Sequence, residues 1–319
     1  MSSNLSLQRL NLVGAATAPP ILAALGVSLE MGAPLARVAL SRPFMSTYVR
    51  GDATTGAHAA ARLASGVARS PTLRDLRLDG CLCAPDQAAA LIALFRLSLS
   101  LTKVDLSGCC VTGAACAALS SFLAQPASPL RAMQLALNPA PACDLRVTPG
   151  VYAAMTDDDA AHIAAGLAAN SWLAYLGLRM CGLSPAGITS LATAMATNTG
   201  LTALDVRQNS FDDGAACALA RALDANASIR LLTVFTKHPY FEYMMWRPEM
   251  RRGMSPGATG VYPRLGGVAE AALRGAAKRR RVKLGAAPAA PAAAEEAEEA
   301  AEEEEAVVEE QEPQEEEEA

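Results

Sequence analysis

Eight cysteines, three histidines and an aspartate triplet are the residues here with the strongest intrinsic chemistry, and their spacing assembles no reactive centre. No two cysteines stand in a CxxC arrangement, so a zinc ribbon or a thioredoxin-like redox pair has no framework. Cys81 and Cys83 form CxC, and Cys109 and Cys110 are adjacent; free thiols in a reducing compartment are the simplest reading. His58, His162 and His238 are scattered, and Asp158 four residues before His162 reads as a surface helical pair rather than a base. A GxxxxGK phosphate loop, a GxGxxG fingerprint and an HExxH zinc motif are all missing. Asp157-Asp158-Asp159 precede a helical run, where carboxylates favour the positive end of the helix dipole, so they read as a cap rather than a cation site. No catalytic residue, metal or cofactor is expected.

Positioning is carried by a repeat. The pattern LxxLxLxxN/CxL is filled by Leu73, Leu76, Leu78, Cys81 and Cys83. It returns as Leu101, Val104, Leu106, Cys109 and Val111, then as Leu130, Met133, Leu135, Asn138 and Ala140. Leu173, Leu176, Leu178, Cys181 and Leu183 follow, then Leu201, Leu204, Val206, Asn209 and Phe211, then a weaker copy at Ile229, Leu232 and Val234. Upstream copies start at Leu7 and Leu35, and five of the seven intervals between starts are 28 or 29 residues. LxL is period-two alternation, so each unit opens with a short strand whose leucines share one side. The Asn or Cys after it sits where the chain turns away, and its side chain can bond backbone groups that the turn leaves unpaired. Each unit's second half reads as a helix, as in Gly113–Leu123, Gly214–Leu223 and the i, i+3, i+4, i+7 set Ile188, Leu191, Ala192 and Met195. Ile163, Leu167 and Ala168 give another, and Asn170, Asn198 and Asn226 fall where helices end.

Composition agrees. Half of the 319 residues are hydrophobic and only 4% are aromatic, which suits close helix packing around small side chains. The net charge of −5 is unevenly spread: residues 1–246 carry +2, 247–283 carry +8, and 295–319 hold 15 Glu and no base. The uncharged stretch between Arg9 and Glu30 is broken by Pro19-Pro20 and partly absorbed by the first repeat, so no membrane segment is expected.

A 28-residue period with a full helix in each unit resembles the ribonuclease-inhibitor type of leucine-rich repeat, the superfamily that includes GTPase-activating proteins of the small GTPase Ran; the resemblance covers about residues 5–236. It implies an α/β horseshoe solenoid of about eight repeats, strands concave and helices convex, folding as one cooperative unit. Domains are expected at 1–246 (solenoid with C-terminal cap), 247–284 (basic extension with a helix from Val268 to about Lys283) and 285–319 (disordered acidic tail). Phe235, Tyr240, Phe241, Tyr243 and Trp246 read as the cap.

Solvent-facing strand positions carry Arg37, Arg77, Asp79, Lys103, Asp105, Gln134, Tyr175, Arg179, Asp205, Arg207 and Gln208, a mixed-charge surface suited to a protein partner. The two long intervals place insertions around Pro43–Thr55 and Pro141–Thr156 on one rim, with Phe44, Tyr48, Arg50, Arg146 and Tyr152 as binding candidates. Lys278, Arg279, Arg280, Arg281 and Lys283 read as a nuclear-import signal. The expectation is a monomeric, non-enzymatic interaction scaffold of cytoplasm or nucleus, with an unidentified protein partner and without nucleic acid or membrane. The resemblance adds a small GTPase as a possible partner, and Asn209-Ser210-Phe211 looks somewhat like the Asn-containing loop of the Ran activators. Fungal members of that group also carry an acidic tail, without a basic segment before it and with more repeats. Acidic nuclear phosphoproteins share the plan of repeats, basic signal and glutamate tail, but their repeats are shorter; histones or other basic partners of the tail are the third reading.

Overall fold

In the computed structural model, residues 6–13, 19–41, 53–79, 85–136, 155–234 and 267–284 are described. Among them nine short strands lie in chain order in one parallel sheet: β1 (Arg9–Val13), β2 (Arg37–Ser41), β3 (Asp75–Asp79), β4 (Lys103–Asp105), β5 (Ala132–Gln134), β6 (Tyr175–Gly177), β7 (Ala203–Asp205), β8 (Leu231–Thr233) and β9 (Lys283–Leu284). Eight helices alternate with them: α1 (Pro19–Glu30), α2 (Ala53–Arg69), α3 (Pro85–Phe95), α4 (Ala114–Leu123), α5 (Asp157–Ala169), α6 (Pro185–Thr197), α7 (Asp213–Ala225) and α8 (Gly267–Arg280). None of these is long and apolar enough to cross a membrane.

Register follows the repeat. Leu10, Val38, Leu76, Val104, Met133, Leu176, Leu204, Leu232 and Leu284 pair in sequence across the sheet, forming one aliphatic column. Leu40, Leu78, Leu106, Leu135, Leu178, Val206 and Val234 form a second sheltered set, and the repeat-opening residues from Leu35 to Ile229 a third. All join one core between sheet and helices. A slip of one residue would turn every column to solvent, which is why the pairing is unambiguous. Each helix packs on the next, and small residues set the closeness: a Cβ on Gly26 would collide with the Arg62 carbonyl, and one on Gly66 with Gly26. Around the longer fifth interval, Phe95, Phe122 and Trp172 stack edge-to-face, with centroids 5.8 and 5.2 Å apart.

Two polar ladders satisfy the backbone at the turns. On the strand-exit side, the Asn/Cys position reaches the same carbonyl of an earlier unit each time: Cys109 Sγ donates to Leu78 O (2.7 Å), Cys181 Sγ to Leu135 O (3.1 Å) and Asn209 Nδ2 to Leu178 O (2.7 Å). Asn209 Oδ1 also accepts from Cys181 N and Leu183 N. Cys81 and Asn138 lie outside the described residues. The second ladder runs along the helix ends. Asn198 Nδ2 donates to Leu167 O and Asn170 O, and its Oδ1 accepts from Leu201 N; Asn226 repeats this one unit on. Earlier units use Ser70 and Ser98, whose shorter side chains accept from Leu73 N and Leu101 N.

Thr156, Ser184 and Asp212 cap α5, α6 and α7 with their side chains, whereas Gly113 before α4 offers none. Thr156 and Asp159 form a capping box on α5, and Asp159 also accepts from Gly113 N at 2.6 Å. Among the described residues, no group of three or more His, Cys, Asp or Glu is placed to hold a metal. Ala168, read as part of the buried stripe of α5, is exposed; Ala164 and Gly166 are buried instead.

The solenoid runs further than residue 246. The compact unit extends to Gly285, because α8 packs on α7 and β9 continues the sheet beyond β8. The helix expected from Val268 to about Lys283 stops at Arg280 in a Schellman turn: Val282 N bonds Ala277 O, Arg281 N bonds Lys278 O, and Arg281 has φ 54°. The aromatic cap at 235–246 and the tail from 285 lie outside the described residues.

The amide ladder should be a main source of stability. Replacing Asn198 by alanine leaves two buried backbone groups unpaired, Asn170 O and Leu201 N, while Leu167 O keeps its bond from Asn170 N; at about 1–3 kcal/mol for each orphaned group, a loss of about 2–5 kcal/mol is expected by urea denaturation. Thr202→Ala, at an exposed hydroxyl one unit edge away, should cost under about 1 kcal/mol.

Candidate functional site

The face of the sheet turned away from the helices is built from the positions between the column residues. Register places Arg9, Arg37, Asp75, Lys103, Ala132, Tyr175, Ala203 and Leu231 in one row, and Asn11, Ala39, Arg77, Asp105, Gln134, Gly177, Asp205 and Thr233 in the next. Most of the residues singled out from the sequence share this face. Asp79 closes β3, but its side chain is outside the described part.

These side chains bind one another across the strands. Asp75, missed in the sequence reading though it occupies the same register as Lys103 and Tyr175, ties Arg37 (3.3 Å) to Arg77 (3.2 Å). Asp205 takes both Nε (2.9 Å) and Nη2 (2.7 Å) of Arg207, a fork geometry that fixes the guanidinium. Tyr175 donates its hydroxyl to Gln134 Oε1 at 2.8 Å, and Arg179 Nε donates to Gln208 Oε1 at 2.5 Å. Gly177 leaves the space for the first pair: a Cβ there would overlap Gln134 Oε1. Gln208 has φ 57°, and its Nε2 is buried without a hydrogen-bond partner.

Burial sets the electrostatics. Asp205 is 1% exposed and Asp75 6%, while the arginines above them keep contact with solvent. Desolvation pushes the Asp105 carboxyl above its usual range, with the Ser107 N–H and Arg77 opposing. Burial and the nearby Asp205 charge push the Tyr175 phenol up, so it stays a neutral donor. Burial, then the like charge of Arg207, lowers Arg179, whereas the Asp205 hydrogen bond raises Arg207.

Other candidates fall elsewhere. Phe44, Tyr48, Arg50, Arg146 and Tyr152 lie outside the described residues. Asn209 keeps its amide on five backbone groups and is 7% exposed, so it is a ladder residue rather than a group presented to a partner. The basic cluster sits at the end of α8, built into the fold. Arg279 pairs with Asp224 at 2.6 Å, and Arg280 donates to the Asn226 carbonyl, terminating the amide ladder where a next asparagine would stand; Lys278, Arg281 and Lys283 remain exposed. Gly253-Met254-Ser255-Pro256-Gly257 has the GxSxG spacing of a hydrolase elbow and lies outside the described residues. The oxyanion donor of such an elbow is the N–H after the serine, which Pro256 lacks.

A stack of identical strand–turn–helix units around one apolar seam, its turns bridged by Asn and Cys, defines an α/β repeat solenoid. The chain contains a leucine-rich repeat: the family model described as Leucine Rich repeat matches residues 98–120, which span β4 and most of α4. The ribonuclease-inhibitor type is consistent with that match. No curated protein matches the sequence. Among solved structures the chain is similar to "Leiomodin-1 Actin-Binding Site 2 (ABS2)", at 17% identity over 53% of this chain and 89% of that one, with a TM-score of 0.37.

The raised Asp105 carboxyl yields a signed prediction. A carboxyl raised on folding favours the protonated form, so its contribution is present below the unfolded value and lost as pH rises through the folded one. Ionised Asp105 therefore destabilises the fold at neutral pH. Asp105→Asn, which keeps the acceptor for Ser107 N, should raise the melting temperature slightly at pH 7 and leave it unchanged near pH 3. A fall at pH 7 in calorimetry would contradict this account.

Proposed function

We propose that this chain is a non-enzymatic protein-binding scaffold whose concave strand face takes a partner presenting acidic side chains. Leucine-rich-repeat arrays offer extended curved surfaces of this sort, and binding other proteins is their general use. The observation that carries the chemistry of the partner is the layering of charge. Side chains of Arg37, Arg77 and Arg207 are 23%, 20% and 17% exposed, whereas Asp75 and Asp205 beneath them are 8% and 2% exposed. A partner meets guanidinium groups first, and the carboxylates act as anchors that orient them. Lys103 and Arg179, half-buried on the same face, extend the cationic row.

Orientation also favours binding. An arginine already held by a carboxylate loses little rotamer freedom when a second acid docks, so less of the contact energy is consumed by ordering. Phe44, Tyr48, Arg50, Arg146 and Tyr152 are further candidates for contact with the same partner. Nothing at Asn209 favours a GTPase over another protein with an acidic face.

Charge reversal tests the reading. Cross-linking mass spectrometry from native extract identifies partners of the wild-type chain, and each is then titrated in purified form. Arg77→Glu and Arg179→Glu should each weaken binding at least about tenfold, and raising salt from about 50 to 300 mM should weaken the wild type, because exposed ion pairs are screened. Arg96→Glu, exposed at the end of α3, should change neither. Equal affinity for wild type and both concave variants would remove this surface from consideration.

A further inference from the structure

The concave arginines are not all held alike. Arg77 leans on Asp75 and Arg207 on Asp205, each a carboxylate two residues before it. The same spacing before Arg179 gives Gly177, which register sets beside Asp205. Pairing continues past the strands, with Leu178 N on Asp205 O and Met180 N on Arg207 O. Arg179 and Arg207 therefore leave the sheet side by side, their backbones about 4.8 Å apart. No carboxylate fits beneath Arg179: a Cβ on Gly177 would strike Gln134 Oε1 and the Tyr175 hydroxyl, a neutral bridge that fills the place. Arg179 is held instead by an uncharged amide, its Nε donating to Gln208 Oε1, and among the described residues it pairs with no carboxylate. Its two Nη groups, with their N–H donors, bond nothing there. This hold comes at a cost. Gln208 stands just before the ladder residue, where other units have Gly108 and Met180, and all three have positive φ. Glycine suits that backbone best, yet a glutamine occupies it, with Nε2 buried and bonded to nothing. Turning the amide over would set its donors against the Arg179 N–H, so the acceptor is what the position retains.

We infer that the exits of β6 and β7 form a seat for a single carboxylate, an acidic side chain of the partner bound between Arg179 and Arg207. The inference rests on the acid-binding reading of the concave face and narrows it to one place and one group. The incoming carboxylate does for Arg179 what Asp205 does for Arg207, taking the unused Nη donors of a guanidinium that Gln208 has already fixed. Charge selects the ligand class. Two guanidinium groups against Asp205 leave one positive charge, which one carboxylate neutralises. A phosphate dianion would bring a surplus negative charge over Asp205, itself 1% exposed. Burial and then the like charge of Arg207 act against the ionised form of Arg179, and an anion between the two relieves that repulsion. The Asp75 cluster differs, because there one carboxylate already takes both Arg37 and Arg77.

Arginine Nε–Hε NMR spectra of the full chain test this at fixed ionic strength, with N-acetylglutamic acid α-amide, N-acetylalanine and methyl phosphate as probes. The acetylglutamate amide should shift the Arg179 and Arg207 signals together and saturably, with an affinity at least about tenfold above that at Arg77. Methyl phosphate, largely a dianion at neutral pH, should bind those signals more weakly. N-acetylalanine, whose carboxylate sits at a chain end, should bind no tighter than the acetylglutamate amide. Arg179→Gln should abolish the shift of Arg207. Gln208→Gly suits the turn and leaves every charge in place, and it should weaken binding at least about threefold by freeing the guanidinium; a diffuse cationic surface would not respond. Both variants should keep the wild-type backbone spectrum, and the ranking of probes on the wild type needs neither. Tighter binding of methyl phosphate or of N-acetylalanine, an Arg207 shift that survives Arg179→Gln, or an affinity indifferent to Gln208→Gly would each overturn the inference. Shifts confined to Arg37 and Arg77 would overturn the seat alone, whereas no shift of any concave arginine by any probe would remove the acid-binding reading with it.

Discussion

Parallel strands that are never joined by hairpins leave turn backbone stranded inside the molecule, and everything else here depends on how those groups are paired. The aliphatic columns supply the driving force, but apolar burial is non-directional and fixes neither turn nor register by itself. The buried amides do. Asn198 and Asn226 each tie two carbonyls of the preceding helix end to the next strand entry, and Asn209 ties the preceding unit to its own strand exit. Each amide is thus both a turn-former and a staple between units, which makes the stack cooperative rather than a string of separate motifs.

Much of this was legible in the chain itself, because the repeat writes the same constraint many times. Leu76, Leu106, Leu135, Leu178 and Val206 recur at a spacing that only a strand-and-helix unit of constant size explains, and they occupy sheltered columns. The roles of Cys109, Cys181 and Asn209 followed from the same register. What the register could not show was long-range closure. Lys278–Lys283 read as a run of charge, but its apolar partners Ala269, Leu273, Ala276 and Ala277 are buried against the last repeat, and β9 is two residues long, too short for a period to register. Alternation likewise marked Asp205 as facing away from the core without revealing that Arg207 would cover it.

The strand face shows how polar side chains can be held half-buried without collapsing the surface. Carboxylates lie low and arginines lie above them: Asp205 meets Arg207, two residues on, in fork geometry, and Asp75 reaches Arg77 in its own strand and Arg37 in the next. Gly177 takes part by having no side chain: the Tyr175–Gln134 bridge occupies the volume it leaves. The same logic of omitted atoms brings α1 and α2 together at Gly26 and Gly66.

The use of thiols in the strand-exit ladder has a chemical corollary. Cys109, Cys110, Cys116 and Cys181 are buried, and desolvation holds the Cys116 thiol far from ionisation, whereas Cys217 is half-exposed. Alkylating reagents act on thiolate that solvent can reach. The interior sulfurs therefore become labelled only when neighbouring units part, so the rate of their modification under native conditions measures how often, and at which unit, the array breathes.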